Sequence, residues 1–424
     1  MRRQQTAVLA LLLVGYASFY LCRANVDAAL PLLQAEGYDK TSLGTLSSIA
    51  TFTYAIGKFV LGATGDVLGG RRLMAVAIAG SVVCSLALGM QHAFVLLVAF
   101  AAANRFFQSG GWSGLVKVVS QRFEPKRHGV VMGILSTSYE LGNVFSLTLS
   151  AHVAQHGWRA LFVVNPLLFA LVGGAAVLAL PGTPARSEKP KGEDSEREQP
   201  PPGSPDPDTA FPSILKALAA KGAFWNAVVL SALLTFIRVG FLTWTPTYLF
   251  EVSRASGHAE VKGAIVKSTL FPAAGVVAAL SVGPLGDRLG RGRRAPIMAV
   301  SLFVVVGLVL LLAHGGLRDP FAAAAVIGGI GLFLLGPYSL LAGAVALDVS
   351  DKRGAATAAG VIDGAGYLGA TASGFVLGSI ADHAGWPAAF DVVAGAAFVA
   401  MAVSVAWSAR VMKPAVREAP EPLV

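Results

Sequence analysis

Charge is scarce in this chain. Asp, Glu, Lys and Arg make up 13% of its 424 residues, against 54% hydrophobic residues. A soluble domain of this length carries about twice that charge, so a soluble globular fold is excluded. Cysteine is nearly absent: Cys22 and Cys84 both fall within apolar runs, which rules out a disulfide framework. No Gly-x-x-x-x-Gly-Lys-Ser/Thr loop occurs, so no nucleotide-driven motor is indicated. Histidine and cysteine never gather at metal-ligand spacing. No metal, no cofactor and no enzymatic activity are expected. Acids are fewer than bases, giving a net charge of +9. The basic residues collect in alternate loops and form no single patch, so the chain is not expected to bind nucleic acid.

What the chain has instead is long apolar runs. Twelve reach membrane-spanning length: 6–33, 42–64, 73–91, 93–119, 129–153, 160–181, 223–250, 262–286, 295–314, 320–348, 355–380 and 388–411. Each supplies the roughly 18 or more apolar residues that a helix needs to cross a bilayer. The expectation is an all-α membrane protein with twelve transmembrane helices, solvated by membrane lipid. Met1-Arg2-Arg3 opens like a signal peptide, but no cleavage site follows and the apolar run is too long. Most Lys and Arg lie on the side of the N-terminus and the even-numbered loops. That bias places both termini in the cytoplasm, in a multi-pass protein of a plasma (bacterial inner) membrane.

Residues 182–222 divide the runs six and six. The segment from Gly182 to Ala210 is rich in Pro, Glu, Lys and Ser and reads as a flexible linker. Phe211 to Gly222 has apolar residues at helical spacing, as a short surface helix would. The expected organisation is a six-helix bundle at 1–181, a linker at 182–222 and a second six-helix bundle at 223–424.

The bundles repeat each other. Gly62-x-x-x-Asp66-x-x-Gly69 recurs as Gly283-x-x-x-Asp287-Arg288-Leu289-Gly290-Arg291. Lys126-Arg127 with Tyr139-Glu140-Leu141-Gly142 recurs as Lys352-Arg353 with Gly366-Tyr367-Leu368-Gly369. Gly157-Trp158-Arg159 recurs as Gly385-Trp386-Pro387. Three matches in order imply a parallel duplication, and duplicated transporters bind near the midplane between their halves. Arg23 and Arg238, 215 positions apart, occupy equivalent places in this repeat. An arginine at the centre of a spanning helix costs about 2.5–3.5 kcal/mol, so both are candidate site residues. Lys58, Arg105, Lys117 and Lys267 also lie within apolar runs, against Asp27, Glu140 and Asp363. That is a surplus of three positives, smaller if Lys117 and Lys267 snorkel from helix ends. Arg23 and Asp27 stand four apart and could neutralise each other on one helix face. Lys58 has Glu140 or Asp363 as possible partners. Arg238 has no acid nearby on its own helix, so its partner must come from elsewhere.

The loop at 283–291 resembles the signature of the major facilitator superfamily, with a partial copy at 62–72 that has Val67 and Gly70 where arginines are usual. Within it the chain is similar to the organophosphate:phosphate antiporters. The similar stretches are Gly15 to Asn25 with Pro31, Tyr54 to Phe59, Phe107 to Trp112, Ile134 to Ser138, Arg238 to Leu249, Gly336-Pro337-Tyr338 and Ala356 to Gly360 with Gly366 to Gly369. This resemblance implies two pseudo-symmetric bundles in the major facilitator fold. It further implies exchange of an organic phosphate (a sugar phosphate, glycerol phosphate or phosphoglycerate) for inorganic phosphate by alternating access, in a monomer. The family's substrate arginines and lysine fall on Arg23, Arg238 and Lys58. Its site aromatics fall on Tyr16, Tyr20, Tyr54, Trp112 and Tyr367. The helix-5 histidine of the family is replaced at Ser138 or Tyr139, and its helix-4 Trp-Pro-Pro reads Trp112-Ser113-Gly114. Glu140, Asp27 and Asp363 stand where the family is usually neutral. Glu140 joins the expected substrate set, and Asp27, Arg105 and Asp363 are candidates for ion coupling.

The chemistry fits the implied substrate. A phosphate monoester carries about −1.5 to −2 charges at neutral pH, and guanidinium pairs with its oxygens two at a time. Asp66, Asp287, Arg288 and Arg291 read as a breakable latch between the bundles at the cytoplasmic face. Two alternatives stay open: a proton-coupled transporter of organic anions or drugs, supported by the acids and Arg105, and a membrane sensor of sugar phosphate.

Overall fold

The computed structural model of the chain describes residues 3–124, 128–181, 215–257, 260–289, 294–341, 345 and 355–411. The side chains of 3, 62–67, 128–129, 282–289, 294, 355–357 and 410–411 are outside that description. The side chains of Asp66, Asp287 and Arg288, and the whole of Arg291, which together form the expected latch, therefore lie outside the description, as does the linker from 182 to residue 214.

The described secondary structure is helical throughout: α1 (Arg3–Ala17), α2 (Ala24–Ala35), α3 (Lys40–Leu68), α4 (Gly70–Gly89), α5 (Phe94–Arg122), α6 (His128–Val153), α7 (Trp158–Ala179), α8 (Gly222–Ala255), α9 (Val261–Ser268), α10 (Leu270–Leu289), α11 (Arg294–His314), α12 (Pro320–Leu340), α13 (Ala355–His383) and α14 (Gly385–Val411). Residues 215–219 add a short helical turn. A 3-10 turn at Ser18–Cys22 links α1 to α2, and Thr269 alone links α9 to α10. The helices thus make twelve rods among the described residues, one on each apolar run. Eight are long and apolar enough to cross a membrane. The other four, α3, α5, α6 and α13, carry Lys58, Arg105, Glu140 and Asp363. Large apolar side chains point outward on many rods, among them Phe59, Leu171 and Phe303. An apolar outside is the surface that hydrocarbon solvates.

The turns at 36–39, 90–93, 154–157, 256–260 and 384 share one face, here called the far face. Arg159 Nη2 donates to the Gln91 carbonyl at 3.3 Å, and Ser256 Oγ to the Arg318 carbonyl at 2.7 Å, tying neighbouring turns together. The opposite, terminal face has arginines at helix ends. Arg71 donates to the Leu178 carbonyl and Arg122 to that of Pro181, covering carbonyls that a helix leaves unpaired.

The sequence repeat is also a structural repeat. Gly157 and Gly385 hold φ of 93° and 80°, which only glycine adopts readily, and each starts a helix with a tryptophan. Trp158 Nε1 donates to Glu36 Oε1 at 2.6 Å, and Trp386 Nε1 to Glu251 Oε2 at 2.5 Å. Glu36 and Glu251 are 215 positions apart, like Arg23 and Arg238.

Across the seam between the repeats, α3 packs along α13, and α6 packs on α9 and α10. Gly44 and Gly374 let α3 and α13 touch backbone to backbone; a methyl on either would overlap the other's carbonyl. The far-face ends are tied by polar bonds. Gln34 Nε2 donates to Glu251 Oε1 at 2.6 Å, and Lys40 Nζ lies 3.1 Å from the same oxygen. Asp382 accepts from the amides of Lys40 and Thr41 at 3.1 and 2.6 Å, an acid at the first turn of α3 where the helix dipole favours it. Within the turn, the Ser42 amide holds the Asp39 carboxyl below its ordinary range.

The apolar core is divided accordingly. One cluster runs through the second repeat and continues into the far-face ends of the first, including Ala28, Leu30, Leu43 and Phe162. A separate cluster, with Leu12, Phe19, Met74, Leu115 and Phe169, fills the terminal-face part of the first repeat. The two repeats are fused at the far face. At the level of the second cluster the first repeat packs on itself.

Candidate functional site

Arg23 sits at the break between α1 and α2. The Arg23 amide closes the 3-10 turn on the Tyr20 carbonyl at 3.0 Å, and side chains from other rods bond the carbonyls around the break. Asn104 Nδ2 and Gln108 Nε2 donate to the Cys22 carbonyl at 3.0 and 2.6 Å. Ser146 Oγ donates to the Tyr20 carbonyl at 2.8 Å, and Arg105 Nη2 to the Arg23 carbonyl at 3.4 Å. Burying a break requires such partners. Its result is a guanidinium turned toward the seam: Nε donates to Gln108 Oε1 at 2.9 Å and Nη1 to Tyr20 Oη at 3.4 Å. The rings of Tyr54 and Tyr20 lie 4.6 and 4.9 Å from its Cζ. Nη2 is buried without a hydrogen-bond partner.

Arg238 lies on unbroken α8 and is almost fully buried. Its Cζ lies 4.9 Å from the Tyr338 ring and 5.4 Å from that of Tyr139. Each site arginine is thus flanked by two tyrosines, whose ring faces attract a cation. Arg238 Nη2 reaches Glu140 Oε1 at 3.3 Å, across the seam. Arg238 Nε and Glu140 Oε2 have no partner. Lys58 forms an ion pair with Asp363, also across the seam, and lies 4.3 Å over the Tyr367 ring.

These partners settle the alternatives left by the sequence. Glu140 pairs with Arg238 and Asp363 with Lys58. Arg23 and Asp27 form no ion pair: the Arg23 guanidinium goes to Gln108 and Tyr20, while Asp27 has Arg105 and Thr243 beside it, with Arg23 a weaker neighbour. Lys267 lies by Glu260 at the far end of its rod, and Lys117 is near the terminal end of α5. Around the seam, then, Arg23, Lys58, Arg105 and Arg238 meet Asp27, Glu140 and Asp363, a surplus of one positive rather than three.

An open cavity lies in the seam, with ≈ 560 Å³ of empty space that includes adjoining solvent. Of the expected residues, Arg23, Arg238, Tyr20, Tyr54, Tyr367, Asp27 and Arg105 line it. Lys58, Glu140 and Asp363 stand behind that lining as ion-pair partners. Tyr16 and Trp112 pack on each other at 5.0 Å between centroids, in the core of the first repeat. Ser47, Thr51, Asn143 and Thr243 also line the cavity, and Gln108, Tyr139 and Tyr338 hold the arginines. None of these seven was expected. The spacing of Asn104 and Gln108, four apart in an apolar run, was a signal for two of the break's supports. Small hydroxyl residues give no such signal, because serine and threonine also bond their own helix backbone.

Residues 12–373 and 263–423 match the model of the Major Facilitator Superfamily. A Chlamydia trachomatis protein named "Probable hexose phosphate transport protein" is 27% identical over 405 residues, covering 92% of this chain and 87% of its own. The glycerol-3-phosphate transporter of Bacillus subtilis is 24% identical over 428 residues, covering 96% and 93%. Among solved structures, a bacterial homologue of the human lysosomal transporter Spinster, inward-facing and unoccupied, superposes with a TM-score of 0.78 at 15% identity, covering 98% of this chain and 100% of its own. The nucleoside transporter NupG gives 0.71 at 13% identity, covering 94% and 98%. The matched model spans most of the chain, and this multi-pass integral membrane protein belongs to the major facilitator superfamily.

Proposed function

We propose that the chain exchanges an organic phosphate ester for inorganic phosphate by alternating access, working as a monomer. The observation that carries this reading is the shared cavity of Arg23 and Arg238. Two equivalent arginines, one from each repeat, line one space, and each keeps a guanidinium nitrogen without a partner. One phosphoryl group bonded to both would draw the repeats together. Relatives named for hexose phosphate and glycerol-3-phosphate transport add support.

The ion pairs suggest why exchange would be obligatory. Lys58–Asp363 and Arg238–Glu140 both cross the seam. In the unoccupied protein each cation is held by a carboxylate of the opposite repeat. A phosphoryl dianion offers Arg238 a second anionic partner and loosens its hold on Glu140. Separating the repeats without it would leave Arg238 and Glu140 buried and unpaired, which costs about 3–5 kcal/mol, and would also open the more exposed Lys58–Asp363 pair. The occupied site escapes that cost, so occupied transporters reorient and empty ones do so slowly. Termini in the cytoplasm of a bacterial inner membrane would make the far face the outside. The sealed far face then belongs to the state closed to the exterior. Asp66 and Asp287, with Arg288 and Arg291, would latch the terminal face in the opposite state.

Purified protein in liposomes loaded with phosphate should take up radiolabelled phosphate by counterflow, and an external ester should inhibit it. Liposomes lacking internal phosphate or ester should accumulate none. A second reading, proton coupling, is favoured by Asp27, a carboxylate that lines the cavity beside Arg105. Under it, a pH jump would drive uptake into liposomes without internal phosphate.

A further inference from the structure

The two site arginines are held from different sides. Arg238 takes Glu140 and one flanking ring, Tyr139, from the opposite repeat. Arg23 is held by Gln108, Tyr20 and Tyr54, all from its own repeat. If the repeats rock as bodies, Glu140 parts from Arg238, whereas Gln108 travels with Arg23. The holders also differ in charge. Arg238 meets a carboxylate, and Arg23 meets a neutral amide and two phenol rings. Arg23 keeps its charge uncancelled and its Nη2 without a partner.

Gln108 can hold Arg23 in one orientation only. A carboxamide accepts at its oxygen and donates at its nitrogen, and turning it over exchanges the two. The Cys22 carbonyl belongs to the backbone and cannot be turned over. It receives Gln108 Nε2 at 2.6 Å and Asn104 Nδ2 at 3.0 Å. That fixes Asn104 with its Oδ1 toward Gln108, where it accepts from Nε2 at 2.8 Å. Turned over, Gln108 would set its oxygen against two acceptors. Its Oε1 therefore faces Arg23, 2.9 Å from Nε. Asn104 and Gln108 are almost fully buried and stand one turn apart on α5, so bulk water does not compete for these bonds. With Nε occupied, the Nη1–Nη2 edge of the guanidinium is the one left for an anion. A carboxylate in place of the amide would hold the same nitrogen and cancel the charge.

We propose that Gln108 is a positioning residue for phosphate. Oriented by Cys22 and Asn104, it aims the Arg23 guanidinium and, being neutral, leaves the charge to the substrate in both states of the transport cycle. This rests on the phosphate-exchange reading above and adds to it a residue outside the cavity lining.

Detergent-purified wild type, Gln108→Glu and Gln108→Met are titrated with inorganic phosphate at mildly alkaline pH. Gln108→Glu keeps an oxygen toward Arg23, whereas Gln108→Met keeps only the length of the side chain. A residue that serves the fold alone is harmed more by Met. A residue that leaves Arg23 its charge is harmed more by Glu. Phosphate should bind Gln108→Glu about tenfold more weakly than Gln108→Met, because a guanidinium bonds an ionised partner about twice as strongly as a neutral one. Equal affinities, or a weaker Gln108→Met, overturn the proposal. If a Gln108 variant does not fold, Asn104→Ala decides. Asn104 bonds Gln108 and the Cys22 carbonyl and is absent from the cavity lining. Weakened phosphate binding in Asn104→Ala upholds the proposal, and wild-type affinity overturns it. If wild type neither binds nor exchanges phosphate, the exchange reading fails by itself. The role of Gln108 is then read without a ligand, from the rate at which a neutral dicarbonyl modifies Arg23, followed by peptide mass. Pairing with a carboxylate slows that reaction, so Arg23 should react several-fold more slowly in Gln108→Glu than in Gln108→Met. Equal rates overturn the assignment.

Discussion

Replacing Glu140 by Gln should tighten phosphate binding while weakening the empty protein. Glu140 and Arg238 are almost fully buried, with Oε1 and Nη2 3.3 Å apart. Two unit charges at that distance attract by about 5 kcal/mol at an effective dielectric constant near 20. An incoming phosphoryl group has to compete with this attraction. A glutamine side chain there would keep the shape and one hydrogen bond but lose the charge. If about a third of the attraction is recovered on binding, Kd falls more than tenfold, since about 1.4 kcal/mol is a factor of ten. The empty variant, however, would hold Arg238 without a counter-charge. Breaking a buried pair from one side costs about 3–5 kcal/mol, so its Tm should drop by several degrees. Thermal shift in detergent reads both effects: a lower Tm without phosphate and a larger rise when phosphate is added. Counterflow should slow at saturation, because release must now break a tighter complex. Unchanged or weaker phosphate binding together with an unchanged Tm would refute the idea that Glu140 and substrate compete for Arg238.

Other expectations follow from the same geometry. Arg23→Ala and Arg238→Ala should each abolish measurable phosphate counterflow, and Arg238→Lys should weaken binding at least tenfold because an ammonium cannot present two parallel N–H bonds; wild-type affinity in Arg238→Lys would sink the assignment. Glu251→Gln removes the charge and one of the two acceptor oxygens of the carboxylate that holds Gln34, Lys40 and Trp386, so a thiol introduced by Thr41→Cys should react faster with a membrane-impermeant maleimide in that background, and an equal rate would show that the seal lies elsewhere. Cysteine pairs joining the terminal-face ends of α5 and α6 to those of α12 and α13 should cross-link in one state and not when substrate is cycling; cross-linking that ignores substrate would count against rocking of the repeats. Internal pH, followed with a trapped dye during ester uptake, should stay constant in phosphate-loaded liposomes, whereas acidification that disappears in Glu140→Gln or Asp27→Asn would replace exchange with proton coupling.

Much of this protein was legible without coordinates. Apolar runs of membrane-spanning length can satisfy their backbone in hydrocarbon only as helices, so the rods follow from composition alone. Duplication showed in motif order, and Arg23 and Arg238 stood out because buried charge in a spanning helix is costly. Tertiary structure decided who partners whom. Glu140 and Asp363 lie on helices whose faces cannot be aligned from sequence to better than a turn, and only the packing of α3 on α13 and of α6 against the second repeat assigns Lys58 to Asp363 and Arg238 to Glu140. The break at Ser18–Cys22 was equally hidden. Its sequence is as apolar as its flanks, and the folded chain supports it with Asn104 and Gln108 on the Cys22 carbonyl and Ser146 on that of Tyr20, all from other rods. Helical periodicity placed Arg23 and Asp27 together, while the folded chain gives the Arg23 guanidinium Gln108 and Tyr20 as partners and sets Arg105 beside Asp27. Sequence sets which groups are too costly to bury alone; the crossing of helices hundreds of residues apart sets which of them meet.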